Sequence, residues 1–201
     1  MPILSTNSKT GVSLNFPVSN CTPTKVCEAT CYARRHYLIG PTCTAKWNRN
    51  SEYLSNTKDC RELIAEARMY TSIRLCGTGD LIQAHVPGLL KLAKGSPQTM
   101  IWGMTRKIKV ATAVNGRLPN LKLMVSVDAS SPKNVWDYDG VLCYGPRRAE
   151  DRIPEDDRII TVFPYHSSGK VVGQVPDDPR DCPAVRHKVS GCSECGRCFT
   201  W

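Results

Sequence analysis

The sequence is short of several things, and each shortage excludes something. No apolar run approaches the ~20 residues that a membrane-spanning helix needs, so no span is expected. The opening residues, MPILSTNSKTGVSLNF, lack the basic-then-apolar layout of a secretory leader, which points to the cytoplasm. Aromatic residues make up 7% of the chain, and Trp47, Trp102, Trp136 and Trp201 form no spaced array on which bases could stack. His36, His85, His166 and His187 share no spacing with one another or with a nucleophile, so they read as surface or packing residues. His187, inside a group of cysteines, is the exception.

Hydrophobic residues are not short. At 41% of 201 residues they suffice for one compact domain with an appendage. The net charge is +9. Basic pairs follow several apolar runs: Arg34 and Arg35, Arg106 and Lys107, Arg147 and Arg148. Gathered on one face they would suit a small anionic ligand or nucleic acid; the plainer alternative is a solvated rim.

Apolar runs alternate with helical spacing. Strands are expected at Val12 to Val18, Ser72 to Cys76, Thr99 to Met104, Leu121 to Val127, Gly140 to Tyr144 and Arg158 to Pro164. Helices are expected at Glu28 to Leu38, Cys43 to Leu54, Lys58 to Tyr70, around Val86 to Ala93, and at Lys107 to Asn115. Cys60 shares an apolar face with Leu63, Ile64 and Ala67, which makes it a core residue. This alternation predicts βαβ units and an α/β fold over residues 1–166, which suits a partial TIM-barrel-like parallel sheet or an open α/β sheet. Special residues gather at the strands' carboxyl ends, where such folds carry their chemistry: Cys21, then Gly77-Thr78-Gly79-Asp80, then Thr105-Arg106, then Ser126 and Asp128.

Cysteine is abundant. There are eleven, an odd number, and without a leader clustered thiols hold metal more often than disulfides. Cys21, Cys27 and Cys31 form a C-x5-C-x3-C array within eleven residues, too close for easy mutual bridging. Residues 167–201 are rich in Gly, Pro and charge and need another source of order. There Cys182, Cys192, Cys195 and Cys198 follow C-x9-C-x2-C-x2-C. Such sets suit iron–sulfur clusters, most simply [4Fe-4S], one or two of them. A [3Fe-4S] cluster would need only the three-cysteine loop, and zinc is the alternative in the tail. Cys76, Asp80 or a tail cysteine could complete the loop's ligand set. Cys43 and Cys143, isolated, read as small apolar fillers.

The strand-borne loop C-x5-C-x3-C-Tyr-Ala (Cys21, Cys27, Cys31, Tyr32, Ala33), the later Gly79-Asp80 turn and the terminal group Cys182 to Cys198 together resemble the phage gene product 88 family, distantly radical-SAM-like. The resemblance implies a phage iron–sulfur protein on a TIM-barrel-related fold, in the host cytoplasm, with an electron-transfer or radical-type role. It also implies an S-adenosylmethionine site at Tyr32, Gly77, Gly79 and Asp80. Two departures bear on that. Radical-SAM enzymes carry C-x3-C-x2-C, and both gaps here are longer. Their Gly-Gly-Glu segment has only Gly77-Thr78-Gly79-Asp80 as its counterpart, which argues against cleavage of that cofactor. A metal-stabilised nucleic-acid-binding module is the alternative function.

Overall fold

The computed structural model describes residues 2–7, 11–34, 40–56, 60–167, 170–171, 176–186 and 188–201. Arg35, His36 and His187 lie outside them. A short strand β1 (Ser5–Asn7) turns back antiparallel on β2 (Gly11–Leu14). Helices α1 (Lys25–Thr30), α2 (Pro41–Ser55) and α3 (Cys60–Ala67) follow. The chain then alternates through β3 (Ser72–Leu75), α4 (Val86–Gly95), β4 (Met100–Thr105), α5 (Ile108–Val114), β5 (Leu121–Val127), α6 (Lys133–Trp136), β6 (Leu142–Arg147) and β7 (Ile159–Pro164). A two-residue hairpin, β8 (His166–Ser167) and β9 (Lys170–Val171), and a short α7 (Cys192–Cys195) complete it.

The seven main strands form one sheet in sequence order, and β2 through β7 are all parallel. Parallel strands joined in sequence order by right-handed crossovers keep their helices on one face. Strand β5 shows how the residues enforce this. Leu121, Leu123, Val125 and Val127 pack with Leu89, Leu92, Val110, Ala111 and Val114 of α4 and α5. The alternate residues face the other way: Met124 buries against Trp102, Cys143 and Cys198, and Ser126 lines a cavity. Each fully buried aliphatic side chain stabilises the fold by roughly 1.5–3 kcal/mol.

The expected α/β class is observed as a mixed, mostly parallel sheet. Among the described residues the sheet is open, with β1 and β7 as its edges and no pairing that closes it. The antiparallel β1 was not anticipated, since Ser5–Asn7 has no apolar run. Strand β2 ends at Leu14 and not at Val18, because the chain turns through Pro17, which lacks a backbone donor, into a 3-10 turn at Val18–Asn20. Helix α1 starts three residues before the expected Glu28, where Thr24 caps it; the far end of that expected helix lies outside the described residues. Helix α2 opens on Pro41, well suited to a first turn. Cys60 is fully buried, as its spacing predicted, but Cys43 is exposed and fills nothing.

The tail is attached to the sheet. The Val162 amide donates to the Arg180 carbonyl at 2.8 Å, and the Cys182 amide donates to the Val162 carbonyl at 2.7 Å. This parallel bridge extends the sheet beyond β7. Farther on, Cys198, Phe199 and Trp201 pack on the face opposite the helices, with Phe199 5.4 Å from the Trp102 ring.

Two features of the helix layer make testable statements. A Cβ on Gly88 would lie 2.1 Å from the Leu54 carbonyl, so α4 touches α2 backbone to backbone. Gly88→Ala should therefore destabilise by about 3 kcal/mol, seen as a lower urea midpoint at unchanged slope. His85 is fully buried; its Nδ1 accepts from the Ile82 amide at 3.3 Å, which leaves Nε2–H for the Ser51 hydroxyl at 2.8 Å. Burial, with Lys107 nearby, pushes its pKa down to about 4 from 6.5. The unfolded chain then binds the extra proton first, so this stability is complete above pH 6.5 and is lost as the pH falls towards 4. The loss should be about 3 kcal/mol, and His85→Gln should flatten that slope in pH-dependent unfolding.

Candidate functional site

At the carboxyl ends of β3 to β7 lies a cavity of about 250 Å³. That is room for on the order of eight waters at ~30 Å³ each. Cys21, Cys27 and Cys31 line one side of it, together with Tyr32, Gly79 and Asp80; Gly77 stands just outside and accepts from the Tyr32 hydroxyl. The far wall is Met104, Gly145, Pro146, Phe163 and Tyr165. The three thiols that the spacing singled out thus share one cavity at the place the strand pattern indicated. Tyr32 is 55% exposed, so its ring forms the rim.

The loop is braced from its own helix cap. Thr24 Oγ1 accepts from the Cys27 amide at 3.2 Å and donates to Asp128 Oδ2. Two residues on, the Val26 amide donates to Ser130 Oγ at 3.1 Å. Asp128, at the end of β5, has no exposed surface; it accepts from the Ser130 amide at 2.9 Å and the Ser130 hydroxyl at 3.0 Å, and pairs with Arg106 at 2.8 Å. The Gly77–Asp80 turn is pinned to the loop's stem: Asn15 Oδ1 accepts from the Thr78 amide at 3.0 Å, and the Phe16 amide donates to the Thr78 carbonyl at 2.9 Å. Gly79 has φ +73, and a Cβ there would meet the Phe16 carbonyl at 2.1 Å, so only glycine fits. Asp80 accepts from Thr105 Oγ1 at 2.6 Å, the Leu81 amide at 2.7 Å and the Arg106 amide at 3.2 Å. Its carboxylate serves the fold's own donors, and burial still raises its pKa above the ordinary range.

The electrostatics favour neutral thiols until a cation arrives. Burial, then Asp80 and the neighbouring thiols, push Cys21 up to about 12. Burial also raises Cys27, against the pull of the Arg106 guanidinium. An activated nucleophile needs the opposite shift. Thiols of this kind become thiolates when metal displaces their protons.

The tail cysteines converge separately. Cys182, Cys192, Cys195 and Cys198 surround a small void of about 10 Å³ with Thr161 and Phe199. The strand bridge at β7 delivers Cys182, α7 carries Cys192 and Cys195, and Gly196 at φ 66 turns the chain back so that Cys198 meets Thr161 Oγ1 at 3.8 Å. Glu194 fixes the turn by accepting from the Ser190 amide at 2.8 Å and hydroxyl at 2.6 Å. Among the described residues, no three His, Cys, Asp or Glu side chains are drawn together tightly enough to hold a metal ion. At both places the thiols frame a space.

A family model described as gene product 88 matches residues 4–200, which takes in both cysteine groups. The chain belongs to the gene product 88 family. This is a phage gene-product family. No curated protein and no solved structure matches the chain.

In this family member four arginines of the basic rim pair with carboxylates. Arg34 pairs with Glu28 at 2.6 Å, Arg106 with Asp128 at 2.8 Å, Arg147 with Asp181 at 3.8 Å and Arg148 with Asp151 at 2.9 Å. Arg106 therefore belongs to the loop's bracing. Arg74 and Phe163 are among the cavity residues outside the expected site set. Arg74 had a signal: a charge in the middle of the apolar strand Ser72–Leu75, alternating with buried Ile73 and Leu75. Phe163, in an apolar run, had none.

Removing either partner of the Arg106–Asp128 pair leaves a buried charge unmatched. Arg106→Met and Asp128→Ala should each cost about 3–5 kcal/mol. The double variant should cost clearly less than the sum, which a double-mutant cycle by urea unfolding measures.

Proposed function

We propose that this gene product 88 protein is an iron–sulfur protein with a redox role, holding one cluster at Cys21, Cys27 and Cys31 and a second at Cys182, Cys192, Cys195 and Cys198. The observation that carries the reading is that three thiols from one eleven-residue loop line a single cavity at the carboxyl ends of parallel strands. At the N-terminal loop the residues fit such a group: soft sulfur donors around a space of about 250 Å³, larger than one ion fills. There it favours a cluster over zinc, which draws four ligands in to ~2.3 Å each; around the tail's void of about 10 Å³ zinc stays the alternative. A bound cluster supplies one-electron oxidation and reduction, at a potential set by its charge, its burial and hydrogen bonds to sulfur.

The chain's own residues do the rest. Asp128, Thr24 and Arg106 hold the loop in place, while Met104, Pro146 and Phe163 give the cavity apolar walls that limit water. We read the sheet as an arc of a TIM-like barrel. Strands β2 to β7 run in sequence order with the helix core on one side, as a barrel's strands do, and barrel chemistry sits at this end. Tyr32, Gly79 and Asp80 line the same cavity, and with Gly77 they are the residues that would meet S-adenosylmethionine in a radical-SAM-like reading. Asp80's engagement by three donors from the fold weighs against that role. Pairing of Arg34, Arg106, Arg147 and Arg148 with carboxylates likewise weighs against the nucleic-acid reading.

Protein purified anaerobically should be brown, with broad absorbance near ~400 nm and matching iron and sulfide. Cys21→Ala should remove one cluster's share and leave the tail's. Colourless protein carrying only zinc would overturn the reading.

A further inference from the structure

The cavity holds a fourth thiol. Cys76 follows β3 and lines the cavity together with Cys21, Cys27 and Cys31. Its backbone has φ 58, and among the described residues it is the one non-glycine with a positive φ. A left-handed residue with a Cβ costs about 1–2 kcal/mol, and glycine, free of that penalty, stands next in the chain at Gly77. Such strain gathers where a side chain has a task at a site. The Cys76 amide donates to the Leu14 carbonyl at 3.1 Å, so the residue is fixed to the stem from which the three-cysteine loop departs.

Two residues earlier, near the end of β3, Arg74 lines the same cavity. Its guanidinium lies 5.8 Å from the Trp102 ring centroid, and its Nε is buried without a hydrogen-bond partner. A buried donor left unpaired costs about 1–3 kcal/mol, so this N–H, without an acceptor among the described residues, is placed for one from a bound group. Arg74 and Arg106 are the two cations of the cavity wall, and Asp128 already matches Arg106. Among the described residues of the cavity wall, Arg74 is the cation with no carboxylate paired to it.

We infer that Cys76 is the fourth thiolate ligand of the N-terminal site, and that Arg74 donates from Nε to the anionic group those four thiolates hold. This rests on the iron–sulfur reading above and specifies its ligand set. Four thiolates around an oxidised cubane core of ~2+ leave a net charge of about −2, which Arg74 offsets in part. With every iron bound to sulfur, no position is open for a chelating substrate. The N-terminal site is then an electron-transfer site, in which an electron enters and leaves without a bond being made to iron. Arg74 acts as a positioning and charge-compensating residue.

The test compares anaerobically reconstituted full-length parent, Cys21→Ala, Cys76→Ala, Cys76→Ser and Arg74→Met for iron and sulfide content, electron paramagnetic resonance after mild oxidation, and reduction potential. The parent should retain its iron on oxidation. Cys76→Ala should lose about one iron per chain and develop a three-iron signal. Cys76→Ser, which preserves an oxygen ligand and guards against a folding defect in the alanine variant, should keep its iron at an altered potential. Arg74→Met should keep a full cluster at a lower potential, since the oxidised and reduced states lose unequal compensation. If Cys21→Ala loses a cluster while both Cys76 variants match the parent in iron retention, signal and potential, the fourth-ligand inference alone is overturned. An Arg74→Met potential equal to the parent's would overturn the role given to Arg74. If parent and Cys21→Ala hold equal iron and sulfide, the iron–sulfur reading of the loop fails, and this inference with it.

Discussion

A carboxylate with no contact with water holds the candidate site together. Asp128 sits at the end of β5, and its charge is tolerable there because Arg106, Ser130 and Thr24 all donate to it. Thr24 also caps α1, the helix that presents Cys27. One buried anion therefore couples strand, helix cap and cysteine loop, segments separated by about a hundred residues in sequence. Buried pairs of this kind are weak contributors to net stability but strongly specify geometry when every lone pair is used. Placement is what a cysteine site demands.

The same logic organises the second carboxylate. Asp80 collects Thr105, Leu81 and the Arg106 backbone, tying the glycine turn after β3 to the end of β4. Arg106 thus serves both anions, one through its amide and the other through its guanidinium. The polar residues at the strand ends form one network beneath the cavity, and the thiols lie above it. The helix layer on the opposite side of the sheet contributes a conventional aliphatic core.

Much of this could be read from the sequence. Alternation in LKLMVSV fixed the bounds of β5, and the spacing of Leu63 and Ala67 identified the buried face of α3 with Cys60 on it. The three-cysteine loop and the Gly79-Asp80 turn were legible as neighbours because parallel strands place their carboxyl ends together. What escaped was set by tertiary contacts. Strand β1 owes its existence to pairing with β2 and not to its own residues, Ser5–Asn7. The pairing of the rim arginines depends on acids that are distant in sequence, as Asp128 is from Arg106. Openness of the sheet is likewise invisible to local pattern, since an arc and a closed ring have the same strand periodicity.

The bridge between Val162 and the 180–182 segment has a consequence for how the protein behaves outside its folded state. Strand β7 would otherwise present an unpaired backbone edge, flanked by apolar Ile160 and Phe163. Exposed edges of that sort recruit strands from other molecules. The tail covers this one with the 180–182 segment, which the Arg180–Asp178 and Arg186–Asp181 pairs brace. Whatever orders the tail therefore also acts as a solubility device, and a chain with its tail unravelled is exposed to self-association through β7 before its sheet has lost any of its own structure.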